Sequence, residues 1–199
     1  VPVTVKHRIG IDKIEDYSFV RDFVGTVAEA GCETFIVHAR NAVLKGLSPK
    51  ENREIPPLKY DYVYRLKREF PGLTIVVNGG ITSLEQISGH LKSVDGVMIG
   101  RAAYSDPWLL ADEGKTRTDV ARRMYECAKG VESLRHVTRH MLGLYHGMRR
   151  ARLWRQMLSD SARLKANRAE LILEALEAVE TENQGRTTFS EMSENVVRP

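Results

Sequence analysis

The chain has 199 residues, 42% hydrophobic and 28% charged, which supplies apolar material for one large or two small soluble globular domains. No apolar run reaches the length of a membrane-spanning helix, and Val1-Pro2-Val3-Thr4-Val5-Lys6 lacks the regions of a signal peptide, so membrane and secreted classes are set aside and a cytoplasmic protein is expected. The net charge of +4 is uneven: between Lys115 and Lys165 stand 13 Lys and Arg against Asp119, Glu126, Glu132 and Asp160, which favours a polyanionic partner for that region and leaves the rest acidic.

From the amino terminus, Val3-Thr4-Val5 is a short apolar strand ending at Lys6. Residues 17–30 place Phe19, Val20, Phe23, Val24 and Val27 on one helical face, and Gly31 stops the helix. A second strand, Phe35-Ile36-Val37, ends at His38, and a long polar loop carrying Arg40, Lys50 and Arg53 leads to a helix over 61–70 with Val63 and Leu66 inward. The third strand, 73–77, runs into Asn78-Gly79-Gly80, and its helix opens on Thr82-Ser83-Leu84-Glu85, a capping-box pattern that satisfies free backbone donors. A fourth strand, 96–99, ends at Gly100-Arg101.

Apolar strands alternating with amphipathic helices define a parallel α/β sheet, open or closed into a barrel. Four units make half of an eightfold barrel, so residues 1–114 are expected to be the second half of a TIM barrel in a chain that is a fragment. After Leu110 the pattern is helical only, over 118–131, 133–146, 149–159 and 168–179, which predicts an all-α bundle domain over 115–180. Residues 181–199 are polar and aperiodic and are expected to form a disordered tail.

Ligands in parallel α/β folds bind outside the carboxyl ends of the strands. Those ends carry Lys6, His38, Asn78-Gly79-Gly80 and Gly100-Arg101. Gly79 and Gly80 let backbone amides approach phosphate oxygens, helped by the helix that follows, and Gly100-Arg101 repeats the device with a guanidinium. Lys6 suits the electron-rich edge of a reduced flavin, and His38 suits a hydrogen bond to the same ring. Singly, each residue has a structural reading as a turn, a solvated lysine or a satisfied histidine; together, at four successive strand ends, they point to a phosphorylated ligand.

The blocks Lys6-His7-Arg8-Ile9-Gly10-Ile11-Asp12, Val37-His38-Ala39-Arg40, Gly46-Leu47-Ser48-Pro49-Lys50-Glu51-Asn52-Arg53, Val77-Asn78-Gly79-Gly80-Ile81 and Gly100-Arg101-Ala102-Ala103-Tyr104 stand in this order. With Arg139-His140-Met141-Leu142-Gly143-Leu144-Tyr145-His146-Gly147, they make the chain resemble tRNA-dihydrouridine synthases, in particular the bacterial A subfamily, over roughly nine-tenths of its length. The resemblance implies a TIM barrel holding FMN, with contacts from Lys6, His38, Asn78, Gly79, Gly80, Gly100 and Arg101. It also implies a helical domain that grips tRNA, reduction of the flavin by NADPH, hydride delivery to C6 of uracil, and protonation of C5 by a cysteine. That cysteine belongs to a segment ahead of this chain, so the chain alone is expected to be inactive. Arg40, Lys50 and Arg53, and the helical pair Arg152 and Arg155 on one face, match the tRNA-reading set. The implied targets are uridines 20 and 20a of the D-loop, and the protein is expected to be monomeric. Where the family form tends to have Pro-Gly, this chain has Arg149-Arg150.

Cys32 and Cys127 read as small buried hydrophobes, Trp154 as core, and the His136/His140 pair as no metal site, since a third ligand and a catalytic glutamate are absent from the motif. Two other functions stay open: an FMN or sugar-phosphate barrel enzyme acting on a small metabolite, which leaves the basic helices unexplained, and a non-catalytic tRNA-binding module.

Overall fold

A computed structural model of the chain describes residues 1–111 and 113–180. These fall into two compact units that divide between Ala102 and Ala103. The expected disordered tail, 181–199, lies outside the described residues.

The first unit is a four-stranded parallel sheet, β1 (Thr4–Ile11), β2 (Thr34–Ala42), β3 (Thr74–Asn78) and β4 (Gly96–Met98), with neighbours paired in chain order. Between the strands run α1 (Tyr17–Glu29), α2 (Tyr60–Glu69) and α3 (Leu84–His90). The helix α4 (Arg101–Ser105) follows β4 and crosses the division. Side chains alternate across a strand, so Phe35, Val37 and Ala39 of β2 and Ile75 and Val77 of β3, all fully buried, meet Val20 and Val24 of α1 and Val63 and Leu66 of α2 in one core. The opposite face carries Lys6, Arg8, His38, Arg40 and Asn78 in near-register rows: Arg8 pairs with His38, and His38 with Asn78.

The strands run further than their apolar residues indicate. β1 continues five residues beyond Lys6 and β2 four beyond His38, so these two side chains are inside strands and not at their ends. The hydrophobic runs stop early because Lys6 and Arg8 in β1, and His38 and Arg40 in β2, take the positions that face away from the helices. Arg40 likewise belongs to β2 and is 8% exposed, in place of the expected exposed loop position. Phe19 and Phe23 leave the predicted buried stripe: they are 38% and 40% exposed, one residue off the Val20–Val24 line. The helix cap is as the pattern suggests with a one-residue shift: Ser83 Oγ accepts from Gln86 N, and Gln86 Oε1 accepts from Thr82 N at 2.7 Å.

The second unit contains α5 (Arg117–Ala128), α6 (Leu134–Thr138), α7 (Ala151–Ser159), α8 (Ser161–Lys165) and α9 (Leu171–Glu180). A capping box between Thr116 and Asp119 starts α5. Trp154 and Leu158 of α7 are fully buried against Ile172, Ala175 and Leu176 of α9, and Trp154 Nε1 donates to Met141 O at 2.8 Å. A single helix over 133–146 does not form: α6 ends at Thr138, and turns carry the chain past Gly143, where a Cβ would collide with the Ser105 carbonyl. At the start of α7, Arg150 takes the left-handed conformation with φ +62°, a position that favours glycine, and its guanidinium bonds Ala178 O. Neither cysteine is fully buried: Cys32 is half-buried before β2 and Cys127 lies exposed on α5, whose inward positions are taken by Ala121 and Ala128.

Candidate functional site

In the first unit, the polar face of the sheet borders a cavity of about 660 Å³, lined among others by Lys6, Arg8, His38, Arg53 and Asn78 and, at the free side of β1, by Phe19 and Phe23. That volume is of the size that holds a cofactor. Lys6 Nζ donates to Asn78 Oδ1 at 3.1 Å, and Asn78 Nδ2 donates to Met98 O at 2.8 Å, so the amide is oriented by the neighbouring strand and offers its oxygen to the ammonium.

Positive charge dominates here. Burial, then the nearby Arg8, Lys6, Arg40 and Arg101, push the His38 pKa down to about 4, which leaves a neutral imidazole among cations. Burial and Arg8 also lower the Lys6 pKa. A site whose cations weaken one another in this way favours an anionic ligand, whose charge would relieve the repulsion.

Asn78, which lines the cavity, leads into the Gly79-Gly80 turn. Both glycines have positive φ, +119° and +69°. Behind them stand His38, Leu58 and Tyr60: a Cβ on Gly79 would lie 2.6 Å from His38 Cδ2, and one on Gly80 2.6 Å from Leu58 Cδ1. At Gly100, by contrast, a Cβ would meet no atom within 4 Å, so this backbone faces open space immediately before Arg101.

The loop after β2 is fastened to the site by Arg40 and Arg101 together with Arg8, Asn52, Glu54 and Tyr60, which the sequence alone did not assign to the site. Arg8 donates from Nη1 to Asn41 O at 2.7 Å, Asn52 O at 2.8 Å and Asn52 Oδ1 at 3.1 Å. Arg40 donates to Glu54 O at 3.1 Å and to Pro56 O, while its buried Nε has no partner. Arg101 Nη1 pairs with Glu54 Oε1 at 2.6 Å, and Tyr60 Oη donates to Gly79 O at 2.5 Å. For Arg8 a signal existed: it follows Lys6 by two and therefore shares its face. Asn52, Glu54 and Tyr60 act through contacts distant in sequence.

Lys6, His38, Asn78, Gly79 and Gly80 are thus brought together, and Arg53 and Arg101 reach the same surroundings. Lys50 precedes and Arg53 ends a 3₁₀ turn, Glu51–Arg53, with both side chains exposed. In the second unit, Arg152 and Arg155 share the exposed side of α7 opposite Trp154 and Leu158, with no ion-pair partner among the described residues. Among the described residues no group of three His, Cys, Asp or Glu is placed to hold a metal ion, and no helix is long and apolar enough to cross a membrane.

The parallel α/β sheet gathers cations and a glycine turn on its polar face, an arrangement whose charge suits an anionic ligand. The profile of the family described as "Dihydrouridine synthase (Dus)" matches residues 1–182, and the chain belongs to that family. It is 47% identical over 196 residues to the tRNA-dihydrouridine(20/20a) synthase of Shewanella oneidensis, covering 92% of this chain and 58% of the relative. To the protein of that name from Synechocystis it is 50% identical over 194 residues, covering 89% and 58%. To the one from Escherichia coli K12 it is 53% identical over 178 residues, covering 81% and 51%. The chain therefore spans little more than half the length of the curated relatives it matches.

Proposed function

We propose that this chain holds the cofactor and grips the tRNA in an enzyme that reduces uridine to 5,6-dihydrouridine in tRNA, with FMN as cofactor and NADPH as reductant. In this reading β1–β4 with residues 1–114 form the C-terminal half of a (β/α)₈ barrel, and 115–180 form a helical tRNA-binding domain. The targets are uridines 20 and 20a, after the relatives' name. The observation that carries the reading is the convergence of Lys6, neutral His38 and Asn78 on one sheet face beside the Gly79-Gly80 turn.

FMN would supply the hydride. The residues present fit it: the Lys6 ammonium, held by Asn78, suits the anionic edge of a reduced ring, and His38, kept uncharged, suits a neutral hydrogen bond to that ring. The backbone at Gly80 and Gly100 and the Arg101 guanidinium suit the phosphate, with Arg101 exchanging its Glu54 partner for a doubly charged one. Arg40 has the role of holding the loop that presents Lys50 and Arg53 to tRNA phosphates. Arg152 and Arg155 add two exposed guanidiniums from the helical unit.

The test is the absorbance spectrum of the purified natural-length protein. Flavin bands, and FMN released on denaturation, are the expected result; a colourless protein that takes up no added FMN contradicts the reading.

A further inference from the structure

Tyr60 is the first residue of α2 and is half-buried. Its ring stands edge-on to that of His90, 4.5 Å between centroids at 63°, and His90 is itself buried with Nδ1 2.7 Å from Tyr64 Oη. This packing leaves the Tyr60 hydroxyl directed at the Gly79 carbonyl, 2.5 Å away. Among the described residues all peptide bonds are trans, and in a trans peptide the C=O and the following N–H point in opposite directions. A Gly79 carbonyl turned inward therefore forces the Gly80 N–H outward. That N–H has no acceptor among the described residues, and Gly80 is exposed while Gly79 is buried.

With φ positive at both glycines, the Gly79–Gly80 peptide has an easy alternative: glycine crosses between regions of φ/ψ space at little cost, so the plane could flip and point its carbonyl oxygen at an incoming anion. Leu58 closes the turn from behind by contact alone and does not select the peptide orientation. The hydroxyl does select it, because flipping leaves the phenol without its acceptor in a half-buried position.

We propose that Tyr60 is a positioning residue for the phosphate end of the bound flavin: its hydroxyl fixes the Gly79 carbonyl inward and so presents the Gly80 N–H to a phosphate oxygen. This rests on the FMN reading above and names the residue that sets its phosphate contact.

The experiment compares FMN with riboflavin, which lacks the phosphate, by fluorescence titration of the flavin-stripped natural-length protein, its Tyr60→Phe variant and its Tyr64→Phe variant. Wild type is expected to prefer FMN. Tyr60→Phe is expected to lose FMN affinity by about five- to tenfold, the size of one hydrogen bond, with riboflavin affinity unchanged. Tyr64→Phe, which breaks only the bond to His90, is expected to leave the FMN-to-riboflavin ratio at its wild-type value. Equal loss for both flavins in Tyr60→Phe, or a ratio kept at the wild-type value, overturns the role of Tyr60 while the FMN reading stands. A wild type that binds both flavins equally, or neither, overturns the phosphate reading itself and the inference with it.

Discussion

Lys6 Nζ lies 3.1 Å from Asn78 Oδ1 although their strands, β1 and β3, are separated by β2. The two side chains leave the same face and meet over the row that holds His38, so a cation two strands away is held by an amide whose own orientation is set by Met98 O. Replacing Lys6 with Ala is expected to weaken flavin retention about tenfold, or roughly 1.4 kcal/mol, with thermal stability little changed, since the ammonium is partly exposed. Retention after desalting, read from the flavin absorbance, checks this; an unaltered spectrum and content remove Lys6 from the site.

His38 is expected to stay neutral from pH 8 to pH 5, because burial and the neighbouring Arg8, Lys6, Arg40 and Arg101 bring its pKa to about 4. The sign follows from linkage. The unfolded chain, with an ordinary histidine near 6.5, binds more protons than the folded one between that value and about 4, so stability falls as pH is lowered through this window. The ring resonances of His38 in an NMR titration of the flavin-free protein should be flat above pH 5. A midpoint near 6.5 contradicts the assigned surroundings.

The alternation of strands and helices, their order, the inward Val63 and Leu66, a capped start near residue 83 (one residue later than the Thr82–Glu85 pattern) and the buried Trp154 were legible in the sequence, because periodicity and capping are local properties. Strand ends were not. Arg8, His38 and Arg40 continue β1 and β2 on the polar face, and a reading that follows apolar runs stops at the first cation. The fastening of the loop by Arg8, Asn52, Glu54 and Tyr60 was also hidden, because each bond joins residues 14 to 47 positions apart. The close approach of Gly143 to the Ser105 carbonyl, past the end of α6 at Thr138, is announced by no local pattern.

Replacing Arg40 with Met leaves Glu54 O and Pro56 O without their buried donor, and a cost of about 1–3 kcal/mol is expected. Hydrogen exchange should speed up at residues 51–56, while urea unfolding shows the loss of stability. A variant that keeps both wild-type protection and wild-type stability would refute the bracing role of Arg40.

Arg152 and Arg155 share the exposed side of α7. If they contact phosphates, replacing both with Ala in the natural-length protein reduces the salt dependence of tRNA binding by a slope of roughly one per lost contact, and FMN content stays the same. Titrations at several salt concentrations that superimpose on wild type would show the pair to be a solvated helix face.

The most direct measurement is mass analysis of nuclease fragments from unmodified tRNA incubated with the natural-length protein, FMN and NADPH. The expected result is a gain of two hydrogens on uridine in the D-loop fragment at positions 20 and 20a, as the relatives' name states, and its loss in Lys6→Ala. Uridine left unreduced by a protein that has bound its flavin would contradict the proposed function.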